Sequence, residues 1–336
     1  MMVEPLPDLT QYKSVFLVKP SSLGDIVHTL PAARFIKQAH PELLIRWVCN
    51  PEWMPLLEGN PDISEIIPFP RSQFGRISTF PKLFSWARSL HTSTREQPEI
   101  ALDFQGLLRS ALICQVRGVK PIVGLSDARE GATFFYKHVV EVNPQAHAVD
   151  RYLALVSALG IPTPAEDIRF TLPVGTAPAN APKEGTFLVL HPYSRGDGKS
   201  LSTEAIQALC DCLAPHPVVL AGKYASPAQI HGNHVTSLIN QTTLEELIWL
   251  LRHSHACVSV DSGPMHMAAA LQARTLAIHT WSNPRQVGPY NSNARVWKGG
   301  RIAPRLDFSE EEGGADQKVA IRDIRRISDF ILGEWY

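Results

Sequence analysis

Residues 256–271 restrict the fold more than any other stretch of this 336-residue chain. Ala256 to Val260 is a short β-branched run, Asp261 ends it, and Ser262-Gly263-Pro264 turns the chain. Met265-His266-Met267-Ala268-Ala269-Ala270-Leu271 then continues as an Ala-rich helix that has to pack tightly. Ser262 is a favoured N-cap, and Pro264 suits a first helical turn, where its missing N–H is not needed. Gly263 lets another group approach the backbone from above. The carboxyl end of a strand thus meets the N–H groups and positive dipole end of a helix, the place where open α/β sheets take phosphate. The same residues equally suit an ordinary capped strand–helix junction.

The strand–turn–helix rhythm recurs through the chain and predicts parallel sheets. In the first half, Ser14 to Val18 reads as a buried strand, Lys19 to Gly24 as the loop leaving it, and Asp25 to Ala39 as a helix kinked or interrupted by Pro31. Leu44 to Cys49, Ile63 to Ile67, Ile100 to Asp103 and Ile122 to Leu125 read as further strands. Short helices are expected over Glu52–Leu57, over Leu107–Arg117, and from His147 to near Gly160. Phe134-Phe135-Tyr136 reads as core. A Pro-, Ala- and Gly-rich stretch from Leu172 to Gly185 marks a linker. Beyond it Phe187 to Leu190, Val218 to Gly222, Ala256 to Val260 and Thr275 to His279 are strands. Leu244 to Leu251 and an amphipathic Ala320 to Trp335 are helices.

Asp25 has two readings. Asp is a good N-cap; a carboxylate at a glycine-lined loop on the carboxyl edge of a sheet can also act as general base. His28, one turn on, either contacts ligand or lines the helix surface. In the second half, Tyr193, Ser194 and Lys199 lie in a polar loop after a strand, and their donors suit a diphosphate; a plain surface loop is the alternative.

Composition removes several function classes. Lys+Arg 32 against Asp+Glu 32 gives a formal net charge of +0, so no global field points to nucleic acid. The stretch from Arg71 to Arg129 is locally basic, as a solvated face would be, or a docking face for an acidic substrate. Five cysteines without paired spacing fit a reducing compartment better than a disulfide framework or zinc site. The acidic, Pro-containing N-terminus is unlike a signal peptide, and no apolar run approaches a membrane span. GxGxxG, Walker A, GxSxG and Asp-x-Asp are absent, which argues against dehydrogenase, NTPase, serine hydrolase and metal-bound diphosphate readings.

Taken in order, Val18 to Pro31, Asp103 to Ser110, Asp127-Ala128-Arg129-Glu130 and Ser259 to His266 resemble the ADP-heptose:lipopolysaccharide heptosyltransferases, glycosyltransferase family 9, most of all their type I branch. The resemblance implies an α/β GT-B fold, two doubly wound Rossmann-like domains facing a central cleft. Residues 1–172 would bind the acceptor, 173–185 would link, and 186–320 would bind the nucleotide sugar. Residues 321–336 would form a terminal helix that could pack back on the first domain. It further implies inversion without metal, with the ADP-sugar a substrate and no cofactor. Asp25 would be the base. Tyr193, Ser194, Lys199, Asp261, Ser262, Gly263 and His266 would hold the donor, Lys199 offsetting charge on the departing ADP. Lys19, Ser22, Gly24, His28, Arg71, Arg76, Gln105 and Arg129 would meet a Kdo-lipid A type acceptor. The protein would touch the cytoplasmic face of the inner membrane peripherally and bind no nucleic acid.

Three donor-side stretches depart from the family pattern: Ser200-Leu201-Ser202 follows Lys199, Lys223 to Pro227 holds no Glu, and His279-Thr280-Trp281-Ser282 replaces a strand-end Gly-Pro-Thr. A nucleotide-sugar epimerase and a non-catalytic sugar-nucleotide binder of the same fold are the competing readings.

Overall fold

Five consecutive buried residues make β1 (Ser14–Val18) a strand covered on both faces, as parallel sheets require. The computed structural model describes residues 5–71, 80–90, 98–195, 198–312 and 318–336. It divides into two units, Met1–Thr171 and Leu172–Tyr336.

In the first unit β1 leads into α1 (Leu23–Ala39), one continuous helix with Pro31 inside it. Next come β2 (Leu44–Cys49), a 3-10 turn at Pro51–Leu56, β3 (Glu65–Pro68), α2 (Phe80–Ser89), β4 (Glu99–Asp103) and α3 (Leu108–Arg117). β5 (Ile122–Leu125), β6 (His138–Val140) and α4 (Ala148–Ala158) complete it. All six strands run parallel in the order β3-β2-β1-β4-β5-β6.

The second unit holds β7 (Leu188–His191), α5 (Thr203–Leu213), β8 (Val218–Leu220), β9 (Val235–Ser237), α6 (Leu244–His253), β10 (Ala256–Val260) and α7 (Gly263–Ala270). β11 (Thr275–Ile278), the single turn α8 (Pro284–Val287), β12 (Arg295–Lys298), β13 (Arg301–Ala303) and α9 (Ile321–Trp335) follow. The strand order is β13-β12-β11-β10-β7-β8-β9, with only β13 antiparallel to its neighbour.

Three expectations change. The supposed linker lies along α6: Thr176 N–H donates to the Glu245 carbonyl, Gly185 N–H to that of His253, and Arg252 to the carbonyls of Leu172 and Pro173. A Cβ on Gly175 would come within 2.6 Å of the Glu245 carbonyl oxygen, which is how the strand of coil gets so close. The terminal helix, allowed above to return to the first domain, spends its apolar stripe on its own unit. Ile324, Ile327 and Ile331 share a core with Ile206, Leu209 and Leu213 of α5. Of the three aromatics read as core, Phe134 is 91% exposed, while Tyr136 is packed in the core of its unit and donates a hydrogen bond to Asp103.

Candidate functional site

Strand order reverses between β1 and β4 in the first unit and between β7 and β10 in the second. Loops leaving such neighbouring strands diverge, opening a crevice at the carboxyl edge where ligands settle in doubly wound sheets.

In the first unit, one Asp25 oxygen, Oδ2, accepts the Ser22 backbone N–H at 3.0 Å and the Ser22 hydroxyl at 2.7 Å. Asp25 therefore does belong to the helix cap, while remaining only half-buried at the lip of the crevice. Gly24 is buried in the same turn. The loop before it is braced from below. Lys19 is 3% exposed and donates to the Phe104 carbonyl at 2.9 Å and the Tyr152 hydroxyl at 2.7 Å. Burial pulls its pKa down, but Tyr152, Asp25 and Asp103 outweigh this and hold it above an ordinary lysine. Lys19 is thus a fixed cation whose field reaches Asp25. Gln105 accepts the Ser21 N–H at 3.3 Å, and the exposed Arg71 reaches the Ser21 hydroxyl at 3.5 Å.

Asp103, fully buried at the end of β4, accepts from Gln105 N, Gly106 N, the Ser110 hydroxyl and the Tyr136 hydroxyl at 2.7–3.1 Å. Burial raises its pKa against those four bonds. Its work is to hold the crevice wall. Gly106, at φ +65°, turns that wall, and its carbonyl accepts the Arg129 N–H at 2.8 Å, leaving the Arg129 side chain exposed. His28 is buried edge-on against His147 at 4.8 Å, which answers for it as a packing residue. Arg76 lies outside the described residues.

In the second unit Ser262 occupies the N-cap position of α7 in extended conformation, yet its hydroxyl makes no cap bond. It donates to the Val260 carbonyl at 3.1 Å and lies 3.2 Å from both His191 Nδ1 and the Ser259 hydroxyl. The turn that Gly263 opens therefore has no side chain capping its N–H groups, as an anion site needs. Burial holds His191 down at about 4, neutral. Gly222 makes room for it: a Cβ there would sit 2.7 Å from His191 Nε2.

Asp261 Oδ2 accepts the Lys199 ammonium at 2.6 Å and the Ser282 hydroxyl at 2.7 Å, while Ser194 donates to the Asp261 carbonyl at 3.1 Å. Burial raises the Asp261 pKa, but His279, Lys199 and these hydrogen bonds overcome it and bring it to about 2. Lys199 also lies 4.6 Å above the half-exposed Trp281 ring. Ser282 is in turn bonded to His279 Nδ1 at 2.9 Å, and burial lowers His279 to about 4. His266, one turn into α7, interacts electrostatically with His279. Tyr193 stacks on Tyr224 at 4.2 Å, and its hydroxyl accepts the Ala228 N–H at 2.9 Å, so its ring is structural.

Lys199, Ser194, Asp261, Ser262, Gly263 and His266, expected at this edge from their motifs, are here; His191, His279, Trp281 and Ser282 join them as residues that no motif singles out for the site. The only signal for the last three was that they replace the family's usual strand-end segment. The described residues hold no cluster of three His, Cys, Asp or Glu side chains placed to ligate a metal.

The sequence model of glycosyltransferase family 9 (heptosyltransferase) matches residues 86–312. Lipopolysaccharide heptosyltransferase 1 of Pseudomonas aeruginosa is 30% identical over 294 residues, spanning 82% of this chain and 81% of that protein. Its counterpart in Escherichia coli K12 is 26% identical over 306 residues, spanning 87% and 94%. Among solved structures, the E. coli heptosyltransferase WaaC with ADP superposes with a TM-score of 0.73 at 23% identity, covering 95% of this chain and 99% of that one. E. coli ADP-heptose heptosyltransferase II gives 0.72 at 20% identity, covering 96% and 99%. With its two mostly parallel α/β sheets, the chain has the GT-B fold that these structures share.

Proposed function

Because this chain belongs to glycosyltransferase family 9, the heptosyltransferases, we propose that it moves a heptose from ADP-heptose to the Kdo of a lipopolysaccharide inner core, inverting the anomeric carbon. The observation that carries the reading is the Lys199–Asp261 pair beside an uncapped helix N-terminus at the β7/β10 switch point. That arrangement offers a diphosphate an ammonium, once it turns from Asp261, together with uncapped main-chain N–H groups. The E. coli relative has been solved both with ADP and with ADP-2-deoxy-2-fluoro heptose, which fits an ADP-sugar as donor.

In this reading residues 186–320 take the donor and residues 1–172 the acceptor. Asp25 accepts the proton of the acceptor hydroxyl as that oxygen attacks the anomeric carbon. The bond from that carbon to the diphosphate oxygen breaks, and the pair of electrons leaves with ADP. Lys199 and the α7 N–H groups meet the charge gathering on the departing phosphate, work that a metal ion does in other transferases. Asp261 and His266 contact the sugar and diphosphate; Ser194, Ser262 and Gly263 line the turn. Tyr193 acts indirectly, by holding the loop that carries Ser194 and Lys199. Ser22, Gly24, Arg71, Arg76, Gln105 and Arg129 form the acceptor side, where exposed Arg71 and Arg129 suit carboxylates and phosphates, while buried Lys19 and His28 brace that wall from beneath without touching the acceptor. No helix among the described residues is long and apolar enough to cross a membrane. The lipid-linked acceptor is then met peripherally, at the cytoplasmic face of the inner membrane.

The test is ADP release on mixing the protein with ADP-heptose and Kdo-lipid A. Release that needs both substrates, with a heptosylated product, is the expected result. An isomerised sugar from donor alone would favour an epimerase, and tight ADP binding without transfer to any Kdo acceptor would favour a binding protein.

A further inference from the structure

Two buried nitrogens beside the Lys199–Asp261 pair have no hydrogen-bond partner among the described residues: Nζ of Lys298 and Nε2 of His279. Lys298 is 5% exposed and His279 is 0% exposed. Strand register explains why they are together. β11 and β12 run parallel with Ile278 opposite Trp297, and the His279 N–H donates to the Trp297 carbonyl at 2.9 Å. Val260, Ile278 and Trp297 point into the core shared with α5 and α9, whereas Ala277 and Val296 pack with Met265 of α7. Alternation along the strands therefore sends the next residues, Asp261, His279 and Lys298, to the α7 face at the carboxyl edge.

The hydrogen bonds also settle the His279 tautomer. The Ser282 hydroxyl has one proton, and it goes to Asp261 Oδ2. His279 Nδ1 must then donate to Ser282, which leaves Nε2 a lone pair, the complement of the unused N–H groups of Lys298. Burial lowers the Lys298 pKa, with Glu312 and Asp261 pulling against it. A buried ammonium without a hydrogen bond is costly to fold around, so its retention calls for a reason.

Lys199 supplies one. In the transferase reading it turns from Asp261 to the diphosphate, which would leave a buried carboxylate with Ser282 as its remaining side-chain donor. We propose that Lys298 is a positioning residue for donor binding: it balances the charge of Asp261, whose carboxylate is held by Ser282 and, through Ser282, by His279, so that Lys199 is released to the diphosphate. This rests on the function proposed above, and it adds a second cation that touches no substrate.

The experiment compares Lys298→Met, Lys298→Arg, Lys199→Ala and the double variant Lys199→Ala/Lys298→Met. It measures Tm, the Kd of ADP by calorimetry, and KM for each substrate. Lys298→Met should keep or raise Tm, because a desolvated charge is gone, yet weaken ADP and raise the donor KM by about tenfold, a usual size for coupling between linked sites. The acceptor KM should not move, and Lys298→Arg should restore ADP binding. In the double variant, Lys298→Met should add nothing to the loss already caused by Lys199→Ala. ADP binding by Lys298→Met within twofold of wild type overturns the proposal. So does a fall in Tm that Lys298→Arg fails to repair, which would mark Lys298 as ordinary core. ADP binding needs no turnover. A wild type that binds ADP with this pattern but transfers nothing would therefore refute the transferase reading and leave the Lys298 assignment standing.

Discussion

One carboxylate oxygen of Asp25 accepts both donors of Ser22, the main-chain N–H at 3.0 Å and the hydroxyl at 2.7 Å. Capping is thus compatible with the proposed role of this residue as base. The cap bonds hold the carboxylate in one orientation, and a general base works from a fixed position. Asp25→Asn keeps the shape and removes the proposed base. Transfer should fall by about 10²- to 10⁴-fold while the Kd of ADP stays at the wild-type value. Transfer near the wild-type rate would end the assignment of Asp25 as base.

Lys199 and Asp261 give a prediction in acid. The Asp261 pKa is lowered from 3.8 to about 2. The stabilisation this represents, about 2 kcal/mol, is present above the unfolded value and lost as pH falls from about 4 toward 2. Lys199→Ala removes one cause of the depression, so Asp261 should protonate earlier and the acid-unfolding midpoint should move to higher pH. An unchanged acid limb by circular dichroism would show that the pair is not intact in solution.

His191 and His279 act over a higher range. Burial lowers both from 6.5 to about 4, so between those values the unfolded chain binds protons that the native one refuses. Stability should therefore fall as pH drops from about 6.5 toward 4, by up to about 3 kcal/mol for each ring. His279→Asn should flatten the Tm-against-pH curve across this window. A slope equal to that of wild type would mean that His279 is not held neutral.

A fourth prediction concerns the wall of the crevice between β1 and β4. A Cβ on Gly124 would lie 2.2 Å from the Tyr136 ring, and that ring's hydroxyl holds buried Asp103 at 2.8 Å. Gly124→Ala must displace the ring, so overpacking, at about 1–3 kcal/mol, is joined by the lost bond to a buried carboxylate. Tyr136→Phe loses the bond alone and should cost about 1.5–3 kcal/mol. In urea melts Gly124→Ala should prove the less stable of the two; the reverse order would show that the ring moves aside freely.

Local periodicity made much of the fold legible. Buried runs such as Ser14–Val18 and Ala256–Val260 announce central strands, and the spacing around Ile324, Ile327 and Ile331 announces α9. β6 and β9, three residues each, are only partly buried, so no apolar run marks them, whereas the equally short β8 is a wholly buried Val-Val-Leu. α5 carries Ile206, Leu209, Cys210 and Leu213 at plain helical spacing, so its pattern is legible as well. At the site, the loops after β1 and β10 were readable because Gly, Ser and Asp cluster where a strand must end. What escaped were partners distant in the chain: His191 lies 71 residues from the Ser262 hydroxyl it engages, and Tyr152 lies 133 from Lys19.

Side-chain period and turn chemistry over a dozen residues suffice for the alternation of strand and helix, the two sheets, and the carboxyl-edge positions of Asp25, Lys199 and Asp261. Long-range packing is what turns the Ser262 hydroxyl away from the α7 N-terminus, spends Tyr193 on Tyr224, and stands His279 and Lys298 beside Asp261 with a nitrogen unbonded on each. Those outcomes depend on strand order and on the register of β10, β11 and β12, and register is chosen by the packing of a whole sheet rather than by any one segment's pattern.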